Sequence, residues 1–365
     1  MHSYIRSVLI GLTLALQISA QPERFENLLE QHMSNHPKLP SLAALVIVNG
    51  EVTAVGAAGV RKLGDKTAVT IDDKYHIGSC TKAFTATLAA ALVEDGRLTW
   101  DTTIADALPA YGQQSGYGPA TLKQMVSHTA GFSATVTPAI WKTAWTHTGS
   151  EQNQRRVFAQ SILKETPHTP PGTAYLYSNT GFSIAGFMME SITQESWESL
   201  IQTRIFDPLE MQSAGFYAPA SINQEPDQPW GHQSNGAPMP PGPTADNPPA
   251  IAPAGAIHSS LPDLAKWVQL HIQQETGSVL KDRKSYATLQ TPVLSNYALG
   301  WCVLPRRWAA GYALFHTGSN TMYTTVIWIA PERNFAVIVA TNIGSTVATR
   351  PCNALVDKLI HRYLK

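Results

Sequence analysis

The sequence predicts an α/β protein of the α+β type: an antiparallel sheet drawn from both chain ends and flanked by helices, plus an inserted, mainly helical lobe. Two observations lead there. β-Rich runs gather in two places, around residues 41–59 and after residue 296. Between about 100 and 290, helical segments alternate with loops. Strands that meet from both ends to share one sheet push the intervening helices to its side, which makes two lobes with a cleft between them. The expected division is an α/β lobe over about 21–100 and 295–365 and a helical lobe over about 101–294.

The first residues, MHSYIRSVLIGLTLALQISA, have the layout of an export signal peptide. Arg6 precedes an apolar run from Val8 to Leu16, and small residues end at a cleavage site after Ala20. The run is short for a bilayer span; a membrane anchor or a buried helix is the alternative reading. The mature chain, from residue 21, is expected to be periplasmic or secreted, with no integral membrane span.

Residues 23–36 place Phe25, Leu28, Leu29 and Met33 on one helical face. SLAALVIVNG and EVTAVGAAGV are two strands joined by Asn49-Gly50, a strong hairpin signal. KYHIGSCTK runs from an extended stretch through Gly78 into a helix over Ser79–Glu94 that ends near Gly96. TLKQMVSH, SEQNQRRVFAQSILKE, NTGFSIAGFMMESIT and LPDLAKWVQLHIQQ read as helices. Residues 219–253 are crowded with proline and suit an extended surface loop, either a connector or a cleft wall. YALGWCVLP, GYALFHTGS, MYTTVIWIAP and NFAVIVATN are β-rich, and VATRPCNALVDKLIHRYL closes the chain as a helix.

Hydrophobic residues make up 44 % of the 365 and charged residues 14 %, enough for a large core. Basic and acidic residues balance at 26 each, which argues against nucleic acid or an anionic membrane surface as partner. Cys80, Cys302 and Cys352 lack zinc-ligand spacing, and an odd number leaves at least one free or linked to another molecule.

Three stretches carry the pattern S-x-x-K: SCTK at Ser79, SILK at Ser161 and SVLK at Ser278. Ser161 lies inside an amphipathic helix and Ser278 in a charged connection. Ser79 sits where an extended segment enters a helix rich in small residues. There the first-turn amides lack helical partners and can donate to an oxyanion. Residues three apart share a helix face, so the Lys82 amine can reach the Ser79 oxygen. Burial disfavours the ammonium, which lets Lys82 accept a proton. Spacing alone is equally met by a helix cap with a surface lysine. Two further stretches turn the reading. Tyr177-Ser178-Asn179 is the sole Y-x-N, able to supply a proton relay and an amide that positions lysine and substrate. His316-Thr317-Gly318-Ser319 ends one strand before another begins, where an edge could dock a substrate and the Ser319 amide could serve as a second oxyanion donor. The second H-T-G-S, at His147, leads into a helix that Ser150 would cap.

Taken in order, SCTK, YSN and HTG resemble the serine β-lactamase and penicillin-binding-protein superfamily in its class C-like branch, known for S-x-x-K and K-T-G elements. LVEDGRLTWDTTIADALP, TLKQMVSHTAGF, PPGTAYLYSNTGFSIAG, PLEMQSAGF and PAGAIHSSLPDLAKW extend the likeness from about residue 25 to the C-terminus. The resemblance implies a β-lactamase/transpeptidase-like fold with no metal or organic cofactor. It makes Ser79 the acylated nucleophile, Lys82 and Tyr177 its proton-transfer partners, Asn179 a substrate and lysine positioner, and His316, Thr317, Gly318 and Ser319 a substrate-binding strand. It implies an exported serine hydrolase acting on an amide, peptide or ester, with a small molecule or peptide, including peptidoglycan-derived ones, as substrate. The alternative is a penicillin-binding or sensing protein that acylates without efficient turnover. One departure stands out. His316 occupies the place of a lysine in classical members, so carboxylate binding is expected to be weaker and, with an ordinary histidine pKa near 6.5, pH-dependent.

Overall fold

A computed structural model describes residues 21–221 and 225–364. The leader expected over residues 1–20 lies outside them. Ten strands form two sheets among the described residues. The first strands are β1 (Glu23–Arg24), β2 (Ser41–Val48), β3 (Glu51–Gly59), β4 (Tyr75–His76), β5 (Gly215–Phe216) and β6 (Ile257–Ser259). The later ones are β7 (Cys302–Arg306), β8 (Gly311–Gly318), β9 (Thr324–Ala330) and β10 (Phe335–Thr341). The main sheet has the order β1-β3-β2-β10-β9-β8-β7. Its centre is the antiparallel pair β2–β10, in which Leu45 faces Ile338. The two chain ends thus meet in the middle of one sheet, as expected. Only β1, parallel to β3, departs from the antiparallel pattern. The Asn49-Gly50 turn forms with φ of 54° and 80°, as a two-residue hairpin between right-twisted strands requires.

Alternation along the strands assigns the two faces. Leu42, Ala44, Val46, Val337 and Val339 meet α1 (Glu26–Ser34) and the C-terminal helix (Ser345–Tyr363), with Phe25, Leu29, Leu355 and Leu359 filling that layer. Ala43, Leu45, Ile47, Ala336 and Ile338 face the larger core that runs into the helical lobe. At its centre is α2 (Thr81–Glu94), buried from Thr81 through Leu92. A helix apolar on all sides belongs inside a protein. Its run of small residues permits that close packing, with Phe84 stacked on Trp267 at 3.9 Å between centroids.

The helical lobe comprises α3 (Ile104–Ala107), α4 (Pro109–Gly112), α5 (Leu122–Val126), α6 (Pro138–Thr146), α7 (Glu151–Ile162), α8 (Asn179–Thr193) and α9 (Trp197–Ile201). Then follow α10 (Ala252–Gly255), α11 (Leu261–Gln273) and α12 (Arg283–Gln290); α13 is the C-terminal helix. Although α11 comes from the inserted segment, it packs on β2, β10 and β9 and covers the sheet. Arg155 ties the lobe together from α7. It is fully buried, bonds Glu190 of α8 and Glu198 of α9, and donates to the Pro249 carbonyl at 2.9 Å. The three cysteines are unpaired. No helix among the described residues is long and apolar enough to cross a membrane.

Candidate active site

Ser79 stands in a single 3₁₀ turn, Gly78–Cys80, between β4 and α2. The turn packs directly against the end of β8. A Cβ placed on Gly318 would lie 1.9 Å from the Ile77 carbonyl and 2.8 Å from the Ser79 amide nitrogen. A Cβ on Gly78 would lie 2.2 Å from the Ser319 nitrogen, and Gly78 also has φ of +50°. Glycine at both positions therefore lets the backbones of Ser79 and Ser319 approach as two oxyanion donors need.

The first turn of α2 places Lys82 on the Ser79 side. Its Nζ is fully buried and lies 3.0 Å from Ser79 Oγ, 2.8 Å from Asn179 Oδ1 and 2.8 Å from the Ala254 carbonyl. Desolvation lowers its pKa from 10.5 to about 7. The amide oxygen and the carbonyl can only accept. A neutral amine therefore spends both N–H bonds on Asn179 and Ala254 and turns its lone pair to the Ser79 hydroxyl. An ammonium donates to all three. Either protonation state is satisfied without rearrangement, which suits a group that takes and returns a proton.

Tyr177 and Asn179 arrive through the start of α8. Ser178 caps that helix by accepting from the Thr180 amide at 3.2 Å. With Ser178 in the cap position, Asn179 is free to hold Lys82. Burial pushes the Tyr177 pKa above the ordinary phenol value, and the nearby Ser79 only partly offsets it. Tyr177 is thus a neutral phenol at pH 7. Its ring remains 37 % exposed toward the cleft and lies 4.9 Å from Lys82 Nζ.

His316 and Gly318 are buried and Thr317 half-buried. β7 begins only at Cys302, opposite Phe315, while β9 continues beside β8 to Gly318. His316–Gly318 therefore form a local edge next to Ser79. The His316 ring behaves differently from the sequence expectation. Burial, with the Lys82 charge nearby, lowers its pKa to about 3. Its Nδ1 lies 3.0 Å from the Thr317 carbonyl and its Nε2 3.3 Å from the Tyr297 hydroxyl. Because a carbonyl only accepts, Nδ1 carries the proton and Nε2 accepts from Tyr297. Histidine titration near neutral pH, expected to modulate carboxylate binding, is removed by desolvation. The Ser319 hydroxyl donates to the Tyr323 carbonyl at 2.5 Å, which leaves its amide as the group relevant to the site.

The structure brings all eight sequence-derived residues to this place. The other S-x-x-K serines lie elsewhere. Ser161 bonds back to Val157 within α7, and Ser278 is exposed. His147 merely ends α6, and Ser150 caps α7 by accepting from Asn153. The later part of the proline-rich segment borders the site: Ile251 shares a cavity with Asn179 and Asp246 one with Asn320, and Ala254 just beyond it supplies a carbonyl to Lys82. Two cavities flank the site. One of about 280 Å³ is lined by Asn179, Val136, Trp141, Phe158 and Ile251. The other, about 320 Å³, is lined by Trp145, Gln233, Met239, Asp246 and Asn320.

Sequence reasoning passed over two contributors. The Ala254 carbonyl has no side-chain signature. His128, within TLKQMVSHTAGF, belongs to no motif of its own, yet it straps Tyr177 on both sides. Its carbonyl accepts from Leu176 at 2.8 Å, its Nδ1 accepts from Ser178 at 3.1 Å, and its ring lies 4.2 Å from that of Tyr177. A histidine with φ of +61° inside a polar turn was the available signal only in hindsight of the backbone.

The model of the Beta-lactamase family matches residues 25–360. The chain belongs to the Beta-lactamase family. Within it, the chain is 26 % identical to penicillin-binding protein 4 of Amycolatopsis lactamdurans over 341 residues, covering 88 % of this chain and 84 % of the relative. It is 23 % identical to protein flp of Staphylococcus aureus, covering 86 % of this chain but only 62 % of that protein's length. The Beta-lactamase family fold recurs in the octameric penicillin-binding protein homologue from Pyrococcus abyssi, with a TM-score of 0.74, 24 % identity, and coverage of 93 % and 78 % of the two chains. It also recurs in the D-alanine carboxypeptidase AmpC from Burkholderia cenocepacia, with a TM-score of 0.68, 19 % identity, and coverage of 90 % and 96 %.

Proposed function

We propose that the protein is an exported serine hydrolase that acts through an acyl-Ser79 intermediate on an amide, peptide or ester. The observation that carries this reading is the three-way coordination of the Lys82 amine by Ser79, Asn179 and the Ala254 carbonyl. Neutral Lys82 takes the Ser79 proton as the oxygen attacks the substrate carbonyl. The carbonyl oxygen becomes an oxyanion held by the Ser79 and Ser319 amides. As the tetrahedral intermediate collapses, Tyr177 passes a proton to the leaving alcohol or amine and is reprotonated from Lys82. Water then attacks the acyl-enzyme with the proton flow reversed. Names among the relatives and fold neighbours, penicillin-binding protein and D-alanine carboxypeptidase, support peptides and their mimics as acyl donors. A buried neutral His316 in place of a cation favours donors that lack a carboxylate at that point.

Intact-mass measurement with a D-Ala-D-Ala peptide, a cephalosporin and a short-chain ester tests the reading. An acyl adduct with at least one of them, lost in Ser79→Ala, is expected, with turnover beyond one equivalent. Adduct formation and product release that survive Ser79→Ala would overturn it. A burst that stops at one equivalent would favour a sensor that acylates and stalls.

A further inference from the structure

Behind the two oxyanion amides lies a buried polar cluster that the proton-transfer chemistry does not use. His76, at the end of β4, is fully buried and Asp246 nearly so. The Gly78 amide, one residue before Ser79, donates to His76 Nδ1 at 3.0 Å. A nitrogen that accepts an N–H is unprotonated, so the proton of the neutral ring sits on Nε2. That atom lies 2.8 Å from Asp246 Oδ2, an electrostatic contact too oblique for a hydrogen bond, and neither atom has another partner. The other carboxyl oxygen, Oδ1, accepts from Asn320 Nδ2 at 3.2 Å and from the Asn247 amide at 2.6 Å. Asn320 is the residue after Ser319. Its own Oδ1 accepts from the Met322 and Tyr323 amides, both at 3.1 Å, and so shapes the turn that presents Ser319.

We propose that Asp246 is a positioning residue that clamps the two halves of the oxyanion hole. One carboxyl oxygen reaches the Ser79 half through His76 and the Gly78 amide. The other reaches the Ser319 half through Asn320. The two halves belong to segments far apart in sequence, β4–α2 and β8–β9, and Asp246 comes from a third, the proline-rich segment. Oxyanion donors contribute to rate only when already aimed at the developing charge. A left-handed Gly78 beside a glycine at 318 has wide conformational freedom. The clamp removes it at the two residues that border the donors.

The inference rests on the acyl-Ser79 reading, and the experiment separates the two. Wild type and variants are assayed for ester turnover per active site, counted by burst titration, and for affinity toward phenylboronic acid. The boronate's tetrahedral adduct with Ser79 places an oxygen in the hole. In Asp246→Asn, the introduced amide presents donors toward one of two donor groups. Both kcat and boronate affinity should fall roughly 10–100-fold, with KM within about twofold of wild type. His76→Asn keeps an acceptor where Nδ1 stood, and His76→Gln keeps only the donor near Nε2. Each variant breaks one link of the path from Asp246 to the Gly78 amide, so both should lose kcat and boronate affinity to about the extent of Asp246→Asn. Per-site kcat and boronate affinity that stay within about twofold in Asp246→Asn would overturn the clamp. Should Asp246→Asn not fold, the His76 pair decides, and per-site kcat and boronate affinity within about twofold of wild type in either variant overturn it. If the wild type itself neither turns over ester nor binds boronate, the acyl-Ser79 reading fails instead.

Discussion

At Lys82 two opposing physical terms meet. Burial removes the hydration an ammonium needs, while three acceptors within 3.0 Å replace part of it. Burial wins, and the pKa falls to about 7. With the neutral amine as the proposed proton acceptor, acylation should rise with pH through about 7 and then level off. A stopped-flow pH profile of the ester burst tests this, and a profile flat from pH 5 to 9 would contradict it. The same shift has a stability consequence. Between about 7 and 10.5 the unfolded chain binds a proton that the folded chain has released, so stability rises with pH there. Relative to Lys82→Met, the wild type should gain stability across that interval, measured by denaturant titration. At His316 burial and the Lys82 charge outweigh the single opposing hydrogen bond to the Thr317 carbonyl. Introducing an ammonium by His316→Lys should raise kcat/KM for a carboxylate-bearing substrate relative to a neutral ester, by about tenfold. An unchanged preference would remove His316 from specificity.

The elements matter through where they end. The extended segment must stop at Gly78, α2 must begin after it, α8 must begin at Asn179, and β8 must run past the start of β7. The 3₁₀ turn and the β8 end are in such close contact that one added methyl cannot fit. Gly318→Ala would meet the Ile77 carbonyl at 1.9 Å. It should lower kcat by 100-fold or more, the scale of losing an oxyanion donor, with the protein still folded by circular dichroism. Much of this was legible beforehand. The S-x-x-K, Y-x-N and H-T-G stretches, the hairpin and the helix after Ser79 follow from short-range pattern, although that helix begins at Thr81 and Ser79 itself sits in the 3₁₀ turn before it. Choosing Ser79 over Ser161 and Ser278 also rested on local context, a helix entrance against a helix interior and a loop. What pattern could not reach was any group whose role depends on a partner far away in the chain: the Ala254 carbonyl, the strap at His128, and the His76–Asp246–Asn320 cluster.

For the whole molecule, the sheet's centre is made last in sequence. β10 lies between β2 and β9, and α13 covers one face of all three. Leu355, Val356, Leu359 and Ile360 of α13 are buried there. At about 1.5–3 kcal/mol each, they contribute roughly 6–12 kcal/mol, comparable to the whole stability of about 5–15 kcal/mol expected of a domain. Deleting residues 345–365 should therefore abolish cooperative folding, read as loss of the thermal transition and of soluble yield. A deletion protein that melts as the full chain does would show the layer to be dispensable.

By itself the sequence determined that strands gather at both chain ends, that helices lie between, and that one serine–lysine pair sits at a helix mouth. These follow from periodicity, turn chemistry and small-residue packing, all of which act over a few neighbouring residues. Only the tertiary structure decided that Lys82 is buried enough to shed its proton, that His316 is too buried to gain one, and that a carboxyl from the proline-rich segment lies between His76 and Asn320. Desolvation and hydrogen bonding depend on what surrounds a group in space, and residues distant in the chain supply those surroundings.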